Sequence, residues 1–222
     1  MKKAVSVFWF RRDLRWQDNV GLYYALYQAK LEGHQVLPIF VFDKNILDQS
    51  EDKADRRVDF IHQTLTRLQT ELVAKGKSLW VQYGKPIEVF EKLFTEFNIA
   101  SVYTNHDYGP KANARDAAIE KMTLKNKATY HHFKDQVIFE KDEVTKDDGK
   151  PYTIYTPYAN KWRAAWAVKT PKKFPSEKLL DYFLDTKEFK LPTLKEIGFE
   201  NIEVVNSNMM FHTIYARKKH QL

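Results

Sequence analysis

Apolar residues along the chain follow two alternating periods. Val5-Ser6-Val7-Phe8-Trp9-Phe10 has the length and the β-branched and aromatic content of a buried central strand, predicted over 4–10. Leu22, Ala25, Leu26 and Ala29 then recur at helical spacing within 19–32. Asp18 or Asn19 is placed to cap that helix, and Gly33 stands where a left-handed residue ends one. A second buried strand is predicted over 35–42, with irregularity near Pro38, which lacks a ladder donor. After a polar loop from Asp43 to Asp55, Val58, Ile61, Leu65, Leu68 and Leu72 predict a long helix from about Lys53 to Lys75. A strand over 78–83, a helix opened by Pro86, a strand over 99–104, a helix over 111–125 and a strand over 128–133 complete the series. Strand–helix alternation of this kind predicts an α/β fold with a doubly wound, five-stranded parallel sheet, Rossmann-like, in the order 3-2-1-4-5.

The pattern changes after residue 133. A charged loop from Phe139 ends in the turn Asp147-Asp148-Gly149, and one helix carrying Trp162 and Trp166 fits 158–168. From Thr170 prolines are frequent and no long periodic element returns. Residues 134–222 therefore read as a connector that wraps the sheet domain of 1–133 or leads to another domain, and not as a core of its own.

With 43% hydrophobic residues, 222 residues suffice for a substantial core. The 15 Phe, 12 Tyr and 5 Trp residues suit flat ligands as well as packing. There is no cysteine, which excludes disulfides and thiolate metal sites. Arg11 and Arg12 break the first apolar run, so it is not a signal peptide, and no run is long enough to span a membrane. A cytoplasmic, monomeric protein is expected. The net charge of +7 permits nucleic-acid binding, but the positive residues are spread along both parts of the chain. The densest basic stretch, Lys161 to Lys178, reads as a solvated face.

Several chemistries are set aside. No glycine-rich phosphate loop follows the first strand, and no Gly-x-Ser-x-Gly elbow is present. His131 and His132 are neighbours on a strand and point to opposite faces, and no metal site is expected. What remains is three loops at the carboxyl edge of the sheet, where open α/β folds bind ligands. Arg11, Asp43, Arg56, Asp107, Lys111 and Arg115 would line one crevice there with Phe40, Phe42 and Tyr108. Charges of both signs beside aromatic rings suit a planar, polar-edged organic molecule.

Trp9-Phe10-Arg11-Arg12-Asp13-Leu14-Arg15 with Asp18-Asn19 resembles the opening signature of DNA photolyases and cryptochromes. Gly149 to Tyr158 with Trp162, and Tyr103 to Asp116, resemble two further signatures of that family. The resemblance implies a light-harvesting antenna domain whose crevice holds a flavin, a deazaflavin or a folate, with Arg11, Asp43, Arg56, Asp107 and Arg115 carried over best. Folate is least supported, because folate-binding members have Asn-Glu where Lys111-Ala112 stand. Gly109-Pro110-Lys111 replaces a Glu-Pro-Tyr common in relatives, which weakens the deazaflavin case. The family's FAD, electron-transfer tryptophans and lesion pocket belong to a helical half, and Ile214 to His220 resembles the entry to it. The resemblance thus implies a photolyase acting on UV-damaged DNA when complete, with no catalytic residue and little DNA binding in this part. A cryptochrome photoreceptor shares the architecture. A nucleotide-binding α/β protein of another class is the alternative outside the family.

Overall fold

The computed structural model describes residues 3–170 and 172–200. Five strands, β1 (Ala4–Phe10), β2 (Gln35–Asp43), β3 (Trp80–Gly84), β4 (Asn98–Asn105) and β5 (Thr129–Phe133), form one parallel sheet in the order β3-β2-β1-β4-β5. This is the doubly wound α/β architecture the periodicity predicts. Alternation along β1 divides the core. Phe8 and Phe10 face α1 (Val20–Glu32) and the long helix at Arg56–Val73. Val5, Val7 and Trp9 face the helices at Pro86–Glu96 and Pro110–Lys125. Phe8, Trp9 and Phe10 are all fully buried, worth about 1.5–3 kcal/mol each.

The helix boundaries follow local chemistry. Asn19 caps α1 by accepting from Leu22 N at 3.1 Å, and Gly33 closes it at φ +70°. The loop expected over 43–55 contains a short helix, α2 (Lys44–Leu47), capped by Asp43. Asp55 caps α3 (Arg56–Val73), so that helix begins three residues later than predicted. Pro86 opens α4 (Pro86–Glu96), Pro110 opens α5 (Pro110–Lys125), and α6 spans Tyr155–Ala167. The irregularity expected at Pro38 does not occur. The β1–β2 register runs unbroken from Val5↔Gln35 to Phe10↔Phe40, and pairing with β3 starts only at Ile39. The proline thus sits where β2 has not yet gained its second neighbour.

Gly21 lets α1 approach β4 closely. A Cβ there would lie 2.7 Å from Asn105 Oδ1, which accepts from Gly21 N at 2.9 Å. Beyond β5 the chain runs back over the sheet. Phe183, Leu194, Ile197 and Phe199 bury themselves in the α1–α3 core, and Phe183 bridges to Val36. Short 3-10 turns at Ser176–Lys178, Leu180–Tyr182 and Lys195–Ile197 shape this path. Residues 201–222, including the Ile214–His220 stretch, lie outside the described residues.

Candidate functional site

The turn after β1 is fixed by a buried polar network. Asp13 accepts from Arg11 N at 2.8 Å, from Asn19 Nδ2 at 3.2 Å and from Asn105 Nδ2 at 2.5 Å. Asn105 Nδ2 also donates to Asn19 Oδ1 at 2.8 Å. The end of β1, the start of α1 and the end of β4 are thereby one unit, at the point where strand order reverses. A buried carboxylate is tolerated because its oxygens are met by several donors.

Beside this unit lies a crevice of about 190 Å³. Trp9, Phe40, Val41, Phe42, Leu47 and Ile61 form its apolar walls, and Arg11, Arg12, Asp43, Asp107 and Arg115 its polar part. Arg11 and Arg115 flank the Trp9 ring, with guanidinium carbons 5.2 and 4.9 Å from its centroid. Asp116 holds both cations. It pairs with Arg11 Nη1 and accepts from Arg115 Nε at 2.9 Å. Asp107 lies 3.5 Å from Arg115 and 3.6 Å from Arg12.

These pairs leave donors unused. Trp9 Nε1, Arg11 Nη2 and Arg115 Nη2 are buried with no hydrogen-bond partner. Arg115 Nη2 lies 2.8 Å from Asp116 Oδ1 but outside hydrogen-bonding geometry. A buried unpaired donor costs about 1–3 kcal/mol. Trp9 Nε1 and Arg11 Nη2, the two with no charge partner either, suit a bound molecule that supplies acceptors.

Of the nine residues expected in the crevice, Arg11, Phe40, Phe42, Asp43, Asp107 and Arg115 line it. Arg56, Lys111 and Tyr108 do not. Arg56 is exposed on the first turn of α3, where the Asp55 cap engages Arg57 instead. Lys111 is exposed on the first turn of α5. Tyr108 turns to a neighbouring cavity and donates to Glu140 at 2.8 Å. Burial and the Glu140 carboxylate push its phenol pKa up. Trp9, Arg12, Leu47 and Ile61 were not foreseen. Trp9 reads as strand core, and only its position at the strand's end brings it to the crevice.

The family model for DNA photolyase matches residues 6–176. The chain belongs to the DNA photolyase family. A deoxyribodipyrimidine photo-lyase of Synechococcus is 31% identical over 206 residues, covering 89% of this chain and 41% of the relative. The crystal structure of a class III photolyase from Agrobacterium tumefaciens matches with a TM-score of 0.70 at 25% identity, over 88% of this chain and 38% of that one. An archaeal photolyase from Sulfolobus tokodaii matches with a TM-score of 0.60 at 25% identity, over 84% of this chain and 42% of that one. That structure is described as holding two FAD molecules, with the implication of a novel light-harvesting cofactor. The chain therefore spans about two-fifths of the length of these photolyases. Among the described residues no helix is long and apolar enough to cross a membrane.

Proposed function

We propose that this chain is the antenna part of a DNA photolyase, and that the Arg11–Arg115 crevice binds a light-harvesting chromophore. The observation that carries this is the pair of buried donors without an acceptor, Trp9 Nε1 and Arg11 Nη2, beside ion-paired Arg115 at an apolar-walled crevice on the switch point of the sheet. The pigment supplies light absorption and transfer of excitation to an FAD. The chain supplies binding, orientation and a dry wall. Arg11 and Arg115 would hold the polar edge of its ring system, and Phe40, Phe42 and Trp9 would supply apolar walls for it. At about 190 Å³ the crevice is smaller than the roughly 300–1,000 Å³ of sites that enclose a whole drug-sized ligand, so it holds a ring system and leaves the rest of the molecule outside.

A flavin is the pigment this reading favours. The C2 and C4 carbonyl oxygens of its dione edge, shared with a deazaflavin, offer acceptors to the crevice donors, and what favours the flavin is the precedent of the Sulfolobus tokodaii photolyase with its two FAD molecules. In the complete enzyme the harvested energy serves FAD-driven splitting of cyclobutane pyrimidine dimers in DNA. The family's lyase step, and its contacts to damaged DNA, are assigned to none of these 222 residues. The test is an absorption spectrum of the purified chain before and after adding flavin, deazaflavin and folate. A visible band that co-purifies, or one that shifts on flavin addition, supports the proposal. A spectrum that is the sum of its parts under every addition rejects it.

A further inference from the structure

The chain is rich in rings that give up an electron readily, with 12 Tyr and 5 Trp, yet the crevice wall is almost free of them. Among the described residues its lining holds no Tyr, no Met and no second Trp. Tyr108 directly follows the lining residue Asp107, but it turns to the neighbouring cavity and donates to Glu140 at 2.8 Å. Phe40 and Phe42 supply rings that are hard to oxidise. Trp9 is the exception, and it is the ring that both crevice arginines approach.

That placement acts on the charge the Trp9 ring can carry. A neutral indole attracts a cation to its face, so each guanidinium stabilises the ring as it stands. An indole that has lost an electron is itself a cation and is repelled by both. The guanidinium carbons lie 5.2 Å (Arg11) and 4.9 Å (Arg115) from the ring centroid. Both side chains are largely buried, so solvent and salt screen them weakly. Asp116 and Asp107 pair with the arginines of this wall and offset part of the field. Phe90, edge-on to Trp9 at 4.9 Å, is neutral. No protein acceptor meets Trp9 Nε1, so the protein offers no base to which an oxidised ring could pass its proton.

An excited pigment is a far stronger one-electron oxidant than the same molecule in the dark. Against an ordinary tryptophan, one electron passes from the indole to the pigment. Its return to the indole releases the excitation as heat. We propose that Arg11 and Arg115 hold Trp9 against this oxidation, so that the ring serves as a wall of the crevice without quenching what binds there. This rests on the antenna reading and gives the two arginines a second role beside holding the pigment.

The experiment is the fluorescence lifetime of riboflavin bound to the 222-residue chain, with protein in excess so that all of the riboflavin is bound. It compares the parent, Trp9→Phe, Arg115→Met and the double variant. Trp9→Phe keeps an aromatic ring in the buried position. Parent and Trp9→Phe are expected to give lifetimes within about twofold of each other, because the guarded indole is silent. Arg115→Met is expected to shorten the lifetime about threefold, and to leave it unchanged where Trp9 is already Phe. A larger gain in lifetime in Trp9→Phe would mean that Trp9 quenches in the parent. That would overturn the proposal and leave the antenna reading standing. Equal shortening by Arg115→Met with and without Trp9, the sign of a merely structural effect, would do the same. The first comparison decides the question even where Arg115→Met releases the pigment. Failure of riboflavin to bind the parent would overturn both readings.

Discussion

The sheet body and the connector after β5 are held together in different ways. The body is stabilised by periodic apolar faces, with residues such as Val7, Phe8, Leu26, Leu65 and Leu93 fully buried. The connector has no periodic face. It is fixed by single anchors, and most of these land on the loops that form the site. Asp135 accepts from Arg15 Nη2 at 2.8 Å and from Val20 N at 3.0 Å, which ties β5 to the β1–α1 turn. Ser176 accepts from Asn19 N at 3.1 Å and donates to Trp16 O on the same turn. Glu140 accepts from His106 Nδ1 and Tyr108 OH, both at 2.8 Å, and so holds the β4–α5 loop. Phe183 adds the apolar anchor, packed on Trp16 with ring centroids 5.6 Å apart. The lesson is that the segment after β5 acts as a brace for the carboxyl-edge loops.

Breaking the brace should separate its parts by size. Phe183→Ala is expected to cost about 3–5 kcal/mol, because the ring is fully buried in the α1–α3 core, and chemical denaturation would show this as a lowered midpoint. A cost under about 1 kcal/mol would mean that the connector packs loosely and braces nothing. Asp135→Ala comes next, at about 2 kcal/mol, since it strips the buried acceptor from Arg15 and from the first turn of α1. Its hydrogen-exchange signature should be confined to the start of α1, and uniform loss of protection across the sheet would contradict the local role. Glu140→Gln is the smallest and depends on pH. Burial pushes the Glu140 carboxyl up, but the hydrogen bonds from His106 and Tyr108 outweigh burial and hold it below its ordinary 4.5. A carboxyl depressed in the folded state stabilises fully above its ordinary value and loses that contribution as pH falls through the folded one. Urea midpoints of the variant should therefore match the parent under the most acid conditions and fall below it above about pH 4.5. A difference that does not change with pH would remove Glu140 from the brace.

The same contrast explains what could be read from the chain itself. Strands and long helices fall close to the bounds expected from the chain, and the expected 3-2-1-4-5 order, one of the common doubly wound orders, is the one found. Four-residue α2 has too few turns for a period, and so Leu47 was missed as a wall of the crevice. Phe183 lies in a proline-rich stretch whose burial is set by distant residues, Val36 and Trp16, and no local pattern could announce it. Arg11, Asp43, Asp107 and Arg115 could be placed beside the crevice because they sit on the loops and the helix start that follow the carboxyl ends of β1, β2 and β4. Arg56 was misplaced because adjacent helix residues point about 100° apart, and the Asp55 cap decided which arginine was engaged. Trp9 was hidden by its neighbours. A tryptophan inside an apolar run reads as core, and its unpaired Nε1 shows only in three dimensions.

The central claim is that unpaired guanidinium donors at the crevice bind a chromophore. Arg11→Met tests it most directly, since it keeps much of the side-chain bulk and removes the donors. The measurement is flavin affinity by visible absorbance for the variant and the parent, with circular dichroism as a check on the fold. An affinity about tenfold weaker in a folded variant is the predicted result. Equal affinities would contradict the account and place the flavin elsewhere on the molecule.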